Sequence, residues 1–372
     1  ASNSIAMGRG ATAASSGQIV VGSNAGAGNT SSDTIVIGNS AGQNVTQSAR
    51  SVIIGGGAGN NMASSGGNAG GYVVIGERAG VNMTGQENTF VGSGAGGNGQ
   101  INTGVSGDYN TGYGYLSGAH VVGSFNAASG YGSALWVEGS RNTAMGPSAG
   151  QRVTGDYNTA LGSNAGTDVS GTGNTAMGLQ AGRYISGSKM KVDNPDLPGA
   201  FLEGQINTAS GALAGSNVVG QANVANGLLA GRDVTGSYNI ATGAKAGSGV
   251  SGIGNIASGH FAGEKVDGDV NVAIGNQAGR GVIGSANTGV GNNAGGSVEG
   301  SNNAAFGEAA GSDVKGEGNI AVGVGSGQRV EGDGNVAVGS TAGLDSKGNR
   351  NIAVGDWAGV ATSGHDNIAS GR

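Results

Sequence analysis

The chain has no cysteine, only three prolines, few aromatic residues (4%) and few charged ones (11%). Without cysteine there is no disulfide scaffold, and zinc sites built on Cys₄ or Cys₂His₂ go with it. Scarce proline and the lack of a glycine at every third position exclude collagen. No run of about 18 apolar residues offers a membrane span, and no basic stretch followed by an apolar segment opens the chain as a signal peptide would. The sequence therefore reads as neither membrane-spanning nor a precursor. It begins and ends inside a repeated motif, as an excised fragment would. A formal net charge of −6 gives no basic footprint for nucleic acid. Disorder usually couples low hydrophobicity with high net charge, whereas this chain is 36% apolar.

What the chain has instead is glycine, 84 of 372 residues, against about 7% in ordinary proteins. The glycines are periodic. Asparagine recurs every sixteen residues from Asn110 to Asn174 and again from Asn207 to Asn367. One unit, 142–157, reads NTAMGPSAGQRVTGDY. Counting positions from the asparagine, glycine fills the fifth and fourteenth in every complete unit, and the ninth in all but the unit starting at Asn126. These columns hold 45 of the 84 glycines, so most of the glycine is placed, not scattered. The eighth position is only Ala or Ser, and the twelfth is usually Val. Before Asn110 the same strand appears less regularly, as SIAMG (4–8), QIVVG (18–22), TIVIG (34–38), SVIIG (51–55), YVVIG (72–76) and NTFVG (88–92). Extra Gly/Asn/Ser-rich sequence sits at about 56–71 and 93–109.

Sixteen residues are too few for two helices, and β-branched residues with three glycines oppose even one. The period predicts an all-β chain: one strand over the first five positions, a second over about the seventh to twelfth, and glycine turns between them. Stacked, such units make a parallel β-solenoid in which each coil is buried by its neighbours. About 22 coils at ~4.8 Å would form a rod of roughly 105 Å. The aligned asparagines suit a hydrogen-bonded ladder. Along the first strand the third position is Ala or Gly throughout the regular units, which predicts a thin interior. The second and fourth positions carry mostly Thr, Val, Ile, Met and Ser, and no charge enters the first five positions of any regular unit. Such a stripe predicts self-association through this strand. Charges gather at positions ten to thirteen (Arg152, Asp168, Glu264, Lys347) and at the last two (Asp156, Asp269, Asp333, Arg350), marking a solvated side. The expected organisation is an irregular part, 1–141, and a regular part, 142–372, with a loop insertion at about 188–206.

The first motif, Asn3-Ser4-Ile5-Ala6-Met7-Gly8-Arg9-Gly10-Ala11-Thr12-Ala13, resembles the N-S-V-A-I-G-x-x-A-x-A motif of YadA-like head domains of trimeric autotransporter adhesins of Gram-negative bacteria. Residues 319–323 and 351–355, both NIAVG, are similar, and such strands recur along nearly the whole chain. The resemblance implies a left-handed parallel β-roll, a homotrimer, and attachment to host extracellular matrix or a cell-surface protein or glycan. It also implies an extracellular position on the bacterial surface, anchored in the outer membrane by a part this fragment lacks. Two departures stand out. The period is sixteen instead of about fourteen, and Ala-Gly stands at positions eight and nine where the family motif has A-x-A. A phage tail-fibre or tailspike receptor-binding segment is the alternative reading.

The single break in the regular period, SKMKVDNPDLPGAFLEGQI (188–206), is the candidate ligand contact, through Lys189, Lys191, Asp193, Asp196, Phe201 and Glu203. Repeated in a trimer, it would act by avidity. A latch over a neighbouring subunit and a neutral insertion are the competing readings. Nothing suggests catalytic, cofactor-binding or metal-binding residues. His120, His260 and His365 are too far apart in a solenoid to share a site. The GxGxxG match at 92–97 lacks a following helix, and the Gly-Asp pairs at 268–269 and 332–333 do not repeat in the register of calcium-binding nonapeptides.

Overall fold

The structure, a computed structural model, describes residues 2–64, 71–97, 104–186, 190–191, 201–202 and 206–371. Among these there is no helix; the chain is a parallel β-solenoid of about 21 turns. It divides into two compact units, Ala1–Gln180 and Ala181–Arg372. Each unit carries eleven three-residue strands in parallel register. In the first, Thr143–Met145 pairs with Thr159–Leu161; in the second, Ile320–Val322 pairs with Val336–Val338. Partners lie sixteen residues apart, so one sequence unit is one coil.

The other side of the coil differs from the expected strand over positions seven to twelve. Positions six to eleven are turns, and pairing resumes only at twelve and thirteen. Val137–Glu138 pairs there with Val153–Thr154 in the first unit, and single bridges such as Glu299↔Lys315 and Lys315↔Glu331 serve in the second. The reason is backbone handedness. Ser148, Gly150 and Arg152, at positions seven, nine and eleven, have φ of 56°, 59° and 52°, which no extended strand accommodates. Their N–H groups are still satisfied between coils: Ser148 donates to Tyr131 O (2.8 Å), Gly150 to Ala165 O (2.9 Å) and Arg152 to Leu135 O (2.9 Å). Donors point alternately to the preceding and following coil, so the segment keeps its hydrogen bonds without being a strand.

The interior is as thin as the third position predicts. Ala144, Ala149 and Val153 are buried in the first unit, and Ala321, Val330 and Ala337 in the second. A Cβ on Gly150 would lie 2.8 Å from the Ala144 Cβ, which favours glycine at the ninth position; Ala134, at φ 49°, is the one regular-coil exception. At the fifth and fourteenth, coils stack backbone on backbone. A Cβ on Gly275 (φ 130°) would meet Gly291 O at 2.4 Å, and one on Gly268 (φ 146°) would meet Gly284 O at 2.1 Å.

The asparagine ladder is present in both units. Asn287, 6% exposed, donates its backbone N–H (3.0 Å) and its Nδ2 (3.1 Å) to Asn271 Oδ1, and Nδ2 again to Gly300 O (2.8 Å). Its own Oδ1 accepts the backbone N–H and Nδ2 of Asn303, both at 3.0 Å. A buried carboxamide is thereby fully used. In the first coils the column changes to Gln18, Thr34, Ser51 and Tyr72. The Tyr72 hydroxyl sits against the carbonyls of Gly85 and Ala63, and burial pushes its pKa up to about 12. The interior widens there to Val36, Ile53, Val74 and Phe90. Phe90 fits because its neighbours lack a Cβ; one on Gly112 would lie 2.6 Å from the ring.

Charged columns are paired between successive coils. Arg152 bonds Asp168, Arg280 reaches Glu264 (2.7 Å), Arg329 Asp345 (2.5 Å), Lys347 Glu331 (3.2 Å) and Arg350 Asp366 (2.6 Å). These solvent-exposed pairs are screened and contribute little to stability one by one. The aspartates at position fifteen are not merely solvated. Asp156 accepts Ser140 N–H (2.7 Å) and Asp333 accepts Glu317 N–H (2.9 Å), completing the backbone accounting at a corner.

Two predictions follow from this packing. Asn287→Ala strands the Asn303 donors and leaves Gly300 O unpaired. It should destabilise by about 3 kcal/mol or more, at 1–3 kcal/mol per orphaned buried group, where Asn276→Ala, at an exposed asparagine without positive φ, changes little. Because coils contact only their neighbours, hydrogen exchange should accelerate around coils 271–318 and not near 207–222. Unchanged exchange there would contradict the ladder's role. Second, hydrogen bonding from Arg329 and from Arg350 holds the Asp345 and Asp366 carboxyls below their usual range. A depressed folded pKa stabilises above the unfolded value and is lost as pH falls through the folded one. The double variant Asp345→Asn/Asp366→Asn should melt slightly below wild type at pH 7, with the two curves converging below the ordinary aspartate pKa of about 3.9.

Candidate functional site

Three features stand apart from the repeating scaffold. The first is the outer face of the three-residue strands. With position three buried, positions two and four point outward, and in the second unit they form a charge-free stripe. Ile240, Ile256, Ile274, Phe306, Ile320 and Val354 are 39% to 46% exposed along it. Parallel pairing in strict register sets each of these columns in line. The two-residue alternation requires this: the side that buries alanine must present its neighbours to solvent.

The second is the insertion. Met190–Lys191 pairs antiparallel with Phe201–Leu202, placing Lys191 opposite Phe201 at the base of a hairpin. Lys189, Asp193, Asp196 and Glu203 lie outside the described residues. The structure thus brings the backbones of two of the six expected contact residues together.

The third was missed by reading the columns for their commonest residues. Seven of the fifteen aromatic residues fall within 109–157, and all seven are at least 44% exposed. They occupy a few columns. At position sixteen, Tyr109 stacks on Phe125 (ring centroids 4.9 Å, 8° between planes). Arg141 then lies between Phe125 (5.4 Å) and Tyr157 (5.2 Å). At position six, Tyr115 stacks on Tyr131 (5.2 Å, 18°). At position eleven, His120 packs on Trp136 (5.8 Å), and burial draws the imidazole pKa down. The signal was available in the sequence, since 109, 125, 141 and 157 are sixteen apart. It was hidden because each aromatic column persists for only two to four coils.

The described residues contain no group of three or more His, Asp or Glu placed to hold a metal ion. A narrow cavity of about 60 Å³ follows the interior of the second unit, lined by its alanine, glycine, valine and asparagine columns. It is the space that small side chains leave, and the asparagines along it are spent on their ladder. No family model matches this chain, and no curated protein matches it.

Proposed function

We propose that the protein is a non-catalytic adhesive solenoid that associates with copies of itself along the charge-free strand face. The observation carrying this reading is the outward stripe of Ile, Val and Phe in the second unit. A continuous apolar column on a sheet surface favours burial against a partner, and an identical face on another copy is its simplest complement. The resemblance of the repeat to YadA-like heads supports a left-handed trimeric roll on a bacterial surface, with broad repeated surfaces binding host matrix or cell-surface molecules by avidity. The 188–206 insertion is one such contact, carried by Lys189, Lys191, Asp193, Asp196, Phe201 and Glu203.

Sedimentation equilibrium should return a mass three times the 35.3 kDa chain, and a 35.3 kDa particle would overturn self-association. Val322→Lys/Val338→Lys, at exposed positions on the stripe, should dissociate the assembly while leaving the far-ultraviolet spectrum unchanged. Binding to immobilised collagen, fibronectin, laminin and cell-surface glycans should fall when 189–205 is deleted; equal binding would remove the insertion from the contact surface.

A further inference from the structure

We propose that the aromatic ladders of residues 109–157 are a binding surface for a neutral polysaccharide lying along the coil direction. The proposal rests on the adhesive reading above and names a ligand class and a place for it. Exposed apolar side chains elsewhere are mostly aliphatic, with isolated rings such as Tyr238, Phe306 and Trp357, whereas nearly half of all the rings are gathered here and none of these is buried. Stability alone does not explain such a gathering, because coils 223–334 keep the same backbone ladders with only two aromatic residues at the corner and turn columns, Tyr238 and Phe261.

The chemistry of the patch fits a sugar chain. A polysaccharide offers apolar C–H surface bordered by hydroxyl groups, and carries no charge to desolvate. The patch offers ring surface with five exposed phenols, those of Tyr109, Tyr113, Tyr115, Tyr131 and Tyr157, as donors and acceptors. The three-residue strands at positions two to four, between the two ladder columns, present Thr111, Ala127, Ser129 and Thr143 together with the larger Tyr113 and Met145. Charge is nearly balanced. Arg152 is paired with Asp168, Arg141 is held between rings, and Asp108, Glu138 and Asp156 give no cationic excess for an anionic polymer.

Geometry adds the preference for a polymer. Stacking fixes two rings on successive coils in each ladder, Tyr109 and Phe125 at 4.9 Å and Tyr115 and Tyr131 at 5.2 Å, and Arg141 carries the first column on to Tyr157. A linear chain along this direction meets the same kind of contact repeatedly, whereas a monosaccharide meets it once. Rings already held by their neighbours lose little rotamer freedom on binding, which favours affinity.

The test uses the full chain in affinity electrophoresis against hydroxyethyl cellulose, laminarin and galactomannan, with carboxymethyl cellulose and heparin as acidic comparisons. Tyr109→Asn, Phe125→Asn, Tyr131→Asn and Tyr157→Asn are combined. Asparagine is chosen because Asn302 holds position sixteen at φ 61°, and Asn276 and Asn292 occupy position six. The wild type should be retarded by at least one neutral polymer, and the combined variant should lose about tenfold or more in affinity, as truncated aromatic anchors do. A milder variant, Tyr109→Phe/Tyr115→Phe/Tyr131→Phe/Tyr157→Phe, keeps the stacks and removes hydroxyls. It should lose about threefold or more, the scale of a lost hydrogen bond, even if the asparagine variant fails to fold. Tyr238→Asn/Trp357→Asn, exposed aromatics of the second unit, should bind like wild type. Retardation by acidic polymers alone, by none, or equally in wild type and both ladder variants overturns the proposal. If the ladder variants still adhere to matrix proteins as wild type does, the adhesive reading stands and this surface is excluded from it. A wild type that adheres to nothing overturns both.

Discussion

Within a sixteen-residue coil the backbone has few hydrogen-bond partners, so nearly every peptide must find one in the coil above or below. The bonds that result are uniform, close to 2.8 Å whether they join strand residues (Thr143 N to Asn158 O) or turn residues (Arg329 N to Ser312 O, 2.9 Å). Each coil is therefore an almost congruent copy of the last. From that requirement follow the alternating donors, the left-handed residues that turn the chain sharply, and the glycines whose absent Cβ lets one carbonyl rest on the next Cα. The asparagine ladder repeats the same device in side chains. It bonds along the stack through Oδ1 and across its own coil to the carbonyl of the glycine at position fourteen, tying the ends of each coil together.

Congruence also decides what the core can be. Where position three is alanine, the coil is so flat that position nine is glycine in every regular coil but one, the exception being Ala134 in the coil of Ala128, and little apolar area is buried per residue. Cohesion then comes from satisfied polar groups along the stack more than from a large apolar core, and it is distributed between neighbours. The first coils show the other solution. Phe90 fills the interior only because Gly96, Gly112 and Gly118 surround it, and Tyr72 replaces asparagine by sending its hydroxyl to two carbonyls. Large and small are exchanged between adjacent coils, so the outline of the solenoid changes without breaking its hydrogen bonds.

This explains what could be read beforehand. The period, the alanine interior, the asparagine ladder and the outward stripe are column properties, and columns are visible in sequence because Asn142, Ala144 and Gly146 recur unchanged. The second strand was misplaced because Ser148 and Arg152, which hold left-handed φ, are residue types with no special claim on that conformation. The hydrogen bonds that their N–H groups donate to Tyr131 O and Leu135 O hold them there, and those partners come from another coil. The aromatic ladders escaped notice for a related reason: Tyr109 and Phe125 become one feature only when the coil that superposes them is known.

The same spacing limits the kinds of surface this fold can offer. Two like charges ~5 Å apart repel by about 0.8 kcal/mol even in water, and more near a protein surface. A column of identical charges would accumulate that repulsion at every step. The column at position thirteen avoids it by alternating through Glu299, Lys315, Glu331 and Lys347, with pairing between Lys315 and Glu299 and between Lys347 and Glu331. The one adjacent like-charged pair at position fifteen, Glu317 and Asp333, is no longer than two coils. Rings suffer no such penalty; at ~5 Å they attract. A solenoid with this spacing can thus build a long uniform face from apolar or aromatic side chains, but not from lysine. The two faces singled out here, one aliphatic and one aromatic, are the kinds that stacking permits, and both suit uncharged partners better than a polyanion.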